Sequence, residues 1–501
     1  MTMLEGLPTE VLCEIVELLK SPDVRALRLV NKSVGSIADK AAFKEICFCM
    51  CKRDFDMLEA IANHPVYSSH VTTLVYMVEP LSVERQTLEM YTRGVKYQDD
   101  VSESLKHIVG PSLGNMKREP TPPRLTGPGI VDDYHRYTRY YSEQVEIIDN
   151  NKDYEIIAQV MAKLPKLKNL LVAAEGELGR RRRKPYNDCR VAYDGRFVDD
   201  GLSVRHLRAM VKSMETSGTR PRTFRAGAFY FDFFDPGSFG LHSVTPNLLQ
   251  NITLFEMMVV AVDDHDLPMN EEDMDDIEEQ VRQCRVTMRK GTLRRVLDGI
   301  PNLSTLKLQF VEHHGEPLGT FDPPVCLSDV VPPNKHWPKL QRFEMHNVQT
   351  ERQELCNFLI RHKESLKAYS MGLVKLATTS WRQTLPQLRA GFRGTDVQPE
   401  FLDLLTGRSE DGLEIPEQWN LGNPEFDRSP NMLGYYVHEY LKLPGKRTCP
   451  LNEDNMTDAG FFDEEEDEMD EEDDMDEEED EWEDEDDEDE MADDQLPPLV
   501  P

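Results

Sequence analysis

Ile300-Pro301-Asn302-Leu303-Ser304-Thr305-Leu306-Lys307-Leu308 is the stretch on which the architecture of most of this chain turns. A proline holds the residue before it out of the helical region, so the segment enters as a turn. Leu303, Leu306 and Leu308 then follow the order apolar-x-x-apolar-x-apolar, and the last two share one face of a strand by the period-two rule. The phrase recurs at Val71, Leu74, Tyr76; Leu167, Leu170, Val172; Leu249, Ile252, Leu254; Leu340, Phe343, Met345; and Leu366, Tyr369, Met371. LPKLKNLLV and WPKLQRFEM repeat the proline entry as well. Helical patterns lie between several of these phrases, at Tyr154 to Leu164, Leu202 to Met214, Val281 to Leu297 and Glu351 to His362. A short unit of this kind cannot bury its apolar face alone, so the units are expected to stack into an α/β solenoid.

That body resembles a leucine-rich-repeat array, in an irregular form. Leu340 and Leu366 are 26 residues apart, a repeat-like interval, but Leu167 and Leu249 are 82 apart and leave room for an insertion or a degenerate repeat. Glu175, Val311, Val348 and Val374 stand where such repeats carry Asn or Cys. A compact α/β domain whose strands happen to follow prolines stays open as the alternative. Residues 47–450 are assigned to this body.

Upstream, Thr9 to Leu19 reads as a helix whose apolar residues spread over roughly 160°, wider than one contact seam requires. Ser21-Pro22-Asp23 is a helix-start signature, and Val34, Ile37, Ala38 and Phe43 mark a third short helix. Three helices in about 40 residues have more apolar face than they can cover among themselves, so a partner surface is expected. LPTEVLCEIVELLKSPDVRALRLVNKSVGSIADKAAFKEI resembles the F-box motif, and YHRYTRYYSEQVEIIDNN with DYEIIAQVMAKLPKLKNL resembles a segment of fungal F-box proteins. The resemblance implies an all-α F-box module over 1–46 that docks on a Skp-type adaptor and through it joins a cullin-based (SCF-type) ubiquitin ligase. The residues implied in adaptor binding are Leu7, Pro8, Glu10, Leu12, Ile15, Leu18, Leu27, Val30, Lys32, Ile37 and Phe43. Asn31 stands where the family often has Cys, and Val34 where it often has an aromatic. The body would then hold a protein substrate that the sequence does not identify.

The chain has 501 residues and a net charge of −36, yet Asp463 to Asp494 alone contains 27 acids in 32 residues. Outside that run 66 acids face 57 Lys and Arg, so the body is only mildly acidic. Residues 451–501 are expected to be a disordered acidic tail, because so few apolar groups cannot offset the entropy of ordering it. The competing function is an acidic-tailed nuclear protein that binds basic partners such as histones. Arg180, Arg181, Arg182, Arg183 and Lys184, between a glycine and a proline, form a candidate nuclear-import loop. Asp263 to Glu279 reads as a solvated acidic excursion lacking the spacing of a calcium loop.

No membrane span or secretory signal is expected, since the longest apolar runs resemble Met257 to Val262. Nine cysteines without a Cys-x-x-Cys pair point to a reducing compartment, cytoplasmic or nuclear. Cys47, Cys49 and Cys51 would share one face of a strand, with His64 as a conceivable fourth zinc ligand, but structural zinc ligands come in pairs on tight turns. Buried thiols are the expectation, and no metal or cofactor is assigned. Gly110-Pro111-Ser112-Leu113-Gly114 matches a nucleophile elbow, yet the prolines after it cannot supply the required helix. His313 and His314 diverge on any regular element. No catalytic residue is therefore assigned, and the chain reads as a binding subunit. Tyr134, Tyr137 and Tyr141 fall on one helical face beside His135, Arg136 and Arg139; the pattern reads as a helix packed on the body, with nucleic acid outside the expected partners.

Overall fold

The computed structural model describes residues 7–19, 21–78, 87–93, 95–96, 128–173, 202–235, 246–262, 271–311, 323–408, 417–422, 433–442 and 448–452. Residues 1–459 form one compact unit; 460–501 fall in a second and lie outside the described residues. So do Arg180 to Lys184, Gly110 to Gly114, and His313 with His314.

Three short helices open the chain, α1 (Thr9–Leu18), α2 (Ser21–Leu27) and α3 (Lys32–Ala42). Ten strands follow in a single sheet: β1 (Glu45–Phe48), β2 (Thr73–Met77), β3 (Asn169–Ala173), β4 (Thr223–Tyr230), β5 (Leu254–Val260), β6 (Thr305–Val311), β7 (Arg342–Thr350), β8 (Ala368–Leu376), β9 (Gln398–Gly407) and β10 (Glu417–Gly422). Each strand lies beside its predecessor in the sequence. The first nine are parallel, and β10 turns back antiparallel on β9.

A parallel pair needs a crossover, and helices supply it, among them Lys152–Ala162, Leu202–Ser217, Arg352–Arg361 and Trp381–Gly391. Their apolar sides join alternate strand residues such as Leu170, Phe224, Phe255, Leu306, Phe343 and Tyr369 in one continuous core. All six sequence phrases lead into or lie on strands. Among the described residues, the long interval between Leu167 and Leu249 holds the helix Leu202–Ser217, strand β4 and two single-turn helices, Phe231–Phe234 and Pro246–Leu249.

The strand starts are laced together. Arg222 and Thr223 donate to the Lys168 carbonyl, Thr253 and Leu254 to Arg222, Ser304 and Thr305 to Thr253, Gln341 and Arg342 to Ser304, and Lys367 and Ala368 to Gln341. This ladder satisfies the turn backbone and fixes one register across the sheet.

Two expectations need correction. Glu271–Arg289 is a helix with Ile277 buried, so the acid-rich stretch to Glu279 is a helix start rather than an excursion over its described part. Acids in a first helical turn are favoured by the dipole, which is why charge density misled there. The cysteines also do not share one face: β1 ends at Phe48, Cys47 and Cys49 pack with Val75, Met77 and Leu171, and Cys51 joins the tyrosine cluster of Tyr91, Tyr137 and Tyr140.

His362 is fully buried; its Nε2 accepts from the Trp337 N–H at 3.0 Å, and its Nδ1–H donates to the Phe358 carbonyl at 2.9 Å. Burial pushes its pKa down to about 4. Between about 4 and the ordinary value near 6.5 the unfolded chain binds a proton that the folded chain refuses, so stability falls as pH falls through that window. Urea melts across pH 7 to 4 should show a slope reduced by about one proton in His362→Gln. Equal slopes would mean the imidazole titrates normally in the fold.

Candidate functional site

The opening module has its own small core. Leu12, Val16, Val24, Ile37 and Ala38 are buried together, and Gly35 lets α3 approach α2 so closely that a Cβ there would sit 2.9 Å from the Arg28 carbonyl oxygen. Asn31 caps α3, its side-chain oxygen accepting the Val34 N–H at 2.8 Å, which explains a polar residue at that position.

The module is fastened to the body by a stack. Arg28 pairs with Asp39 and lies 4.8 Å above the Phe43 ring; Phe43 stacks on Tyr67 at 4.1 Å, and Tyr67 on His64 at 3.9 Å. His64 thus serves the junction between module and sheet.

The wide apolar arc of α1 resolves into two stripes. Leu12, Val16 and Leu19 turn into the module, while Val11, Ile15 and Leu18, one position back at the same spacing, form the second. Leu18 is 86% exposed, and after α2 Leu29 is 88% and Val30 49% exposed. Leu7, Pro8, Glu10 and Lys32 are exposed; Ile15, Leu27 and Phe43 are half-buried. Leu12 and Ile37, each 6% exposed, hold the helices to one another, so the outward surface is carried by the remaining residues. Val11 and Leu29 are not among the residues that the sequence resemblance assigns to adaptor binding. The heptad-like offset between Val11 and Leu18 was the available signal.

A second surface is the sheet face turned away from the helices. Registered side by side in β4 to β7 are Arg225, Glu256, Lys307 and Glu344. Arg225 pairs with Glu256 at 2.5 Å and Lys307 with Glu344 at 2.6 Å, both pairs largely shielded from solvent, and Arg342 also reaches Glu344. Farther along, His346 Nε2 meets Asp403 Oδ2 at 2.9 Å, spanning from β7 to β9 across Gly372 of β8. A Cβ at Gly372 would stand 2.4 Å from the His346 ring, so only glycine fits under this bridge. Asn347, Leu373 and Asp403, one in each of these strands, have φ of 59°, 48° and 59°, a row of left-handed residues that re-aims the chain at the bulges. Such a face can bind a protein by shape and paired charge.

Among the described residues no His, Cys, Asp or Glu group has metal-site geometry, and no helix is long and apolar enough to cross a membrane. Burial pushes the Cys51 and Cys356 thiols up to about 11, so both stay protonated at neutral pH.

Residues 4–46 match the family model of the F-box domain. A comparison with curated proteins finds no match. The chain therefore carries an F-box domain, the segment through which F-box proteins bind a Skp-type adaptor and, through it, a cullin of an SCF-type ubiquitin ligase.

Proposed function

We propose that this chain is a non-catalytic substrate receptor of a cullin-based ubiquitin ligase, working in the cytoplasm or nucleus. The observation that carries this reading is an F-box domain in which Leu18, Leu29 and Val30 are exposed, at 86%, 88% and 49%. Leu7, Pro8, Val11, Ile15, Leu18, Leu29 and Val30 would fill the adaptor groove, with Glu10 and Lys32 at its rim. Leu12, Ile37 and Phe43 would support that surface from behind.

The body is read as an irregular leucine-rich-repeat-like solenoid that presents a protein substrate. Its support is the sequence-ordered sheet and the repeated carbonyl ladder at the strand starts. Holding a substrate beside a ubiquitin-charged enzyme raises effective concentration and needs no catalytic side chain in this chain. The stack of Arg28, Phe43, Tyr67 and His64 would keep the docking module and the body in fixed relation.

The test is direct binding of the purified full chain to a purified Skp-type adaptor. A stable complex that weakens when Leu7 and Pro8 are both changed to Ala is expected, since buried anchors commonly contribute about 2 kcal/mol each. Failure of the unaltered chain to bind would overturn the receptor reading.

A further inference from the structure

A cavity of about 840 Å³ opens between the end of the helix Trp381–Gly391, the turn 392–397 and the helix Leu433–Lys442. Phe392, Val397 and Leu441, with Leu388 behind them, form the apolar part of its lining. Its charged lining is Arg389, Arg393 and Lys442 against the single acid Asp396. The Arg389 guanidinium lies 4.4 Å above the Tyr440 ring, and Lys442 Nζ donates to Gln398 Oε1 at 2.6 Å, which orients both cations.

This charge runs against the grain of the protein. Outside the acidic run the chain has 66 acids to 57 Lys and Arg, yet the connectors that lead from a helix into β1 to β9 carry 11 Lys and Arg and only Glu364 and Asp396 as acids. Because the strands are parallel and registered, all these connectors lie along one edge of the sheet. No Lys or Arg occurs in the connectors before β2, β5 and β6, and the double gap at β5 and β6 separates the basic residues into two groups. The second group borders the cavity: the Gln398 N–H donates to the Lys367 carbonyl at 2.8 Å, and the Lys363 and Lys367 side chains are exposed. Cations near helix C-termini also offset the helix dipole. That effect requires no apolar hollow beneath them.

We infer that this cavity binds a short acidic peptide segment bearing one large apolar side chain. The apolar group enters among Phe392, Val397 and Leu441, and flanking carboxylates meet Arg393, Lys442 and Arg389. Binding at a charged rim over an apolar pocket gains from both desolvation of the anchor and charge complementarity. A long polyanion such as a nucleic acid fits poorly, because the basic edge is interrupted after a few strand widths. That the peptide belongs to a ligase substrate rests on the receptor reading; the binding itself does not.

Fluorescence anisotropy of the full-length protein decides it, with three probes: a dodecapeptide of Asp and Glu around one Phe, the same peptide with Phe→Ser, and a charge-reversed Lys peptide. The acidic Phe peptide should bind, weaken several-fold with Ser, and weaken at least tenfold in Arg393→Glu with Lys442→Glu. The Lys peptide should not bind, and a single-stranded oligonucleotide should not compete. Arg393→Gln alone, checked by an unchanged thermal midpoint, guards against misfolding of the double variant and should still weaken binding. Equal affinity in these variants, indifference to Phe→Ser, or full competition by the oligonucleotide would overturn the inference. Adaptor binding measured on the same variants should be unchanged, so loss of the adaptor reading and loss of the peptide site register separately.

Discussion

Changing Leu29 and Val30 together to Ser is expected to eliminate adaptor capture while leaving the fold intact. Leu29 is 88% and Val30 49% exposed, so the substitutions remove little internal packing. In a docked complex they would be anchors, and losing two at about 2 kcal/mol each weakens binding on the order of a thousandfold. Leu12→Ala makes the useful contrast. Its side chain lies in the module's own core, where such truncations cost about 2 to 5 kcal/mol, enough to melt three short helices. The two variants should therefore lose adaptor for different reasons. Titration with the purified adaptor gives the loss in each, and far-ultraviolet circular dichroism with limited proteolysis should show a change only in Leu12→Ala. Normal adaptor affinity in the Leu29, Val30 double variant would place the interface elsewhere on the module.

The contrast also marks how far sequence alone reached. The breadth of the α1 arc was legible, because it follows from 100° per residue. Its division into an inner stripe of Leu12 and Val16 and an outer one of Val11 and Leu18 was not, since that depends on where α3 lies. Strands that carry the apolar-x-x-apolar-x-apolar phrase announced themselves, while β4 did not, although Pro221 precedes it. Its sequence Thr-Phe-Arg-Ala-Gly-Ala-Phe-Tyr shifts register between Ala226 and Ala228, which breaks the period-two pattern. In β9, Pro399 reads as a terminator, yet it occupies the second position of the strand. The charge row from Arg225 to Glu344 and the bridge over Gly372 had no sequence signal at all. Their members lie tens of residues apart, and only the register of the sheet brings them together. The same holds for the basic edge, whose lysines look scattered until parallel topology aligns them.

Trp337→Ala should produce the largest loss of stability of any single change in the body. The indole is fully buried, and its Nε1–H donates to the Ile300 carbonyl at 2.8 Å. It packs at 6.4 Å edge-on to Phe358 and 5.9 Å from the His362 ring, while its own backbone N–H donates to His362. One side chain thus joins the connectors preceding β6, β7 and β8. Removing it leaves a cavity costing about 3 to 5 kcal/mol, and orphans the Ile300 carbonyl for about 1 kcal/mol more. Domains of this kind are stable by only about 5 to 15 kcal/mol in total, so the urea midpoint should fall steeply. Trp337→Phe keeps most of the packing and loses the hydrogen bond, so it should cost much less. Hydrogen exchange in Trp337→Ala should rise first in β6, β7 and β8. Adaptor affinity should be retained wherever the chain is still folded, because the core of α1 to α3 is a separate cluster that Trp337 does not touch. Equal destabilisation by Phe and Ala would show that the hydrogen bond, rather than the packed ring, holds these connectors together.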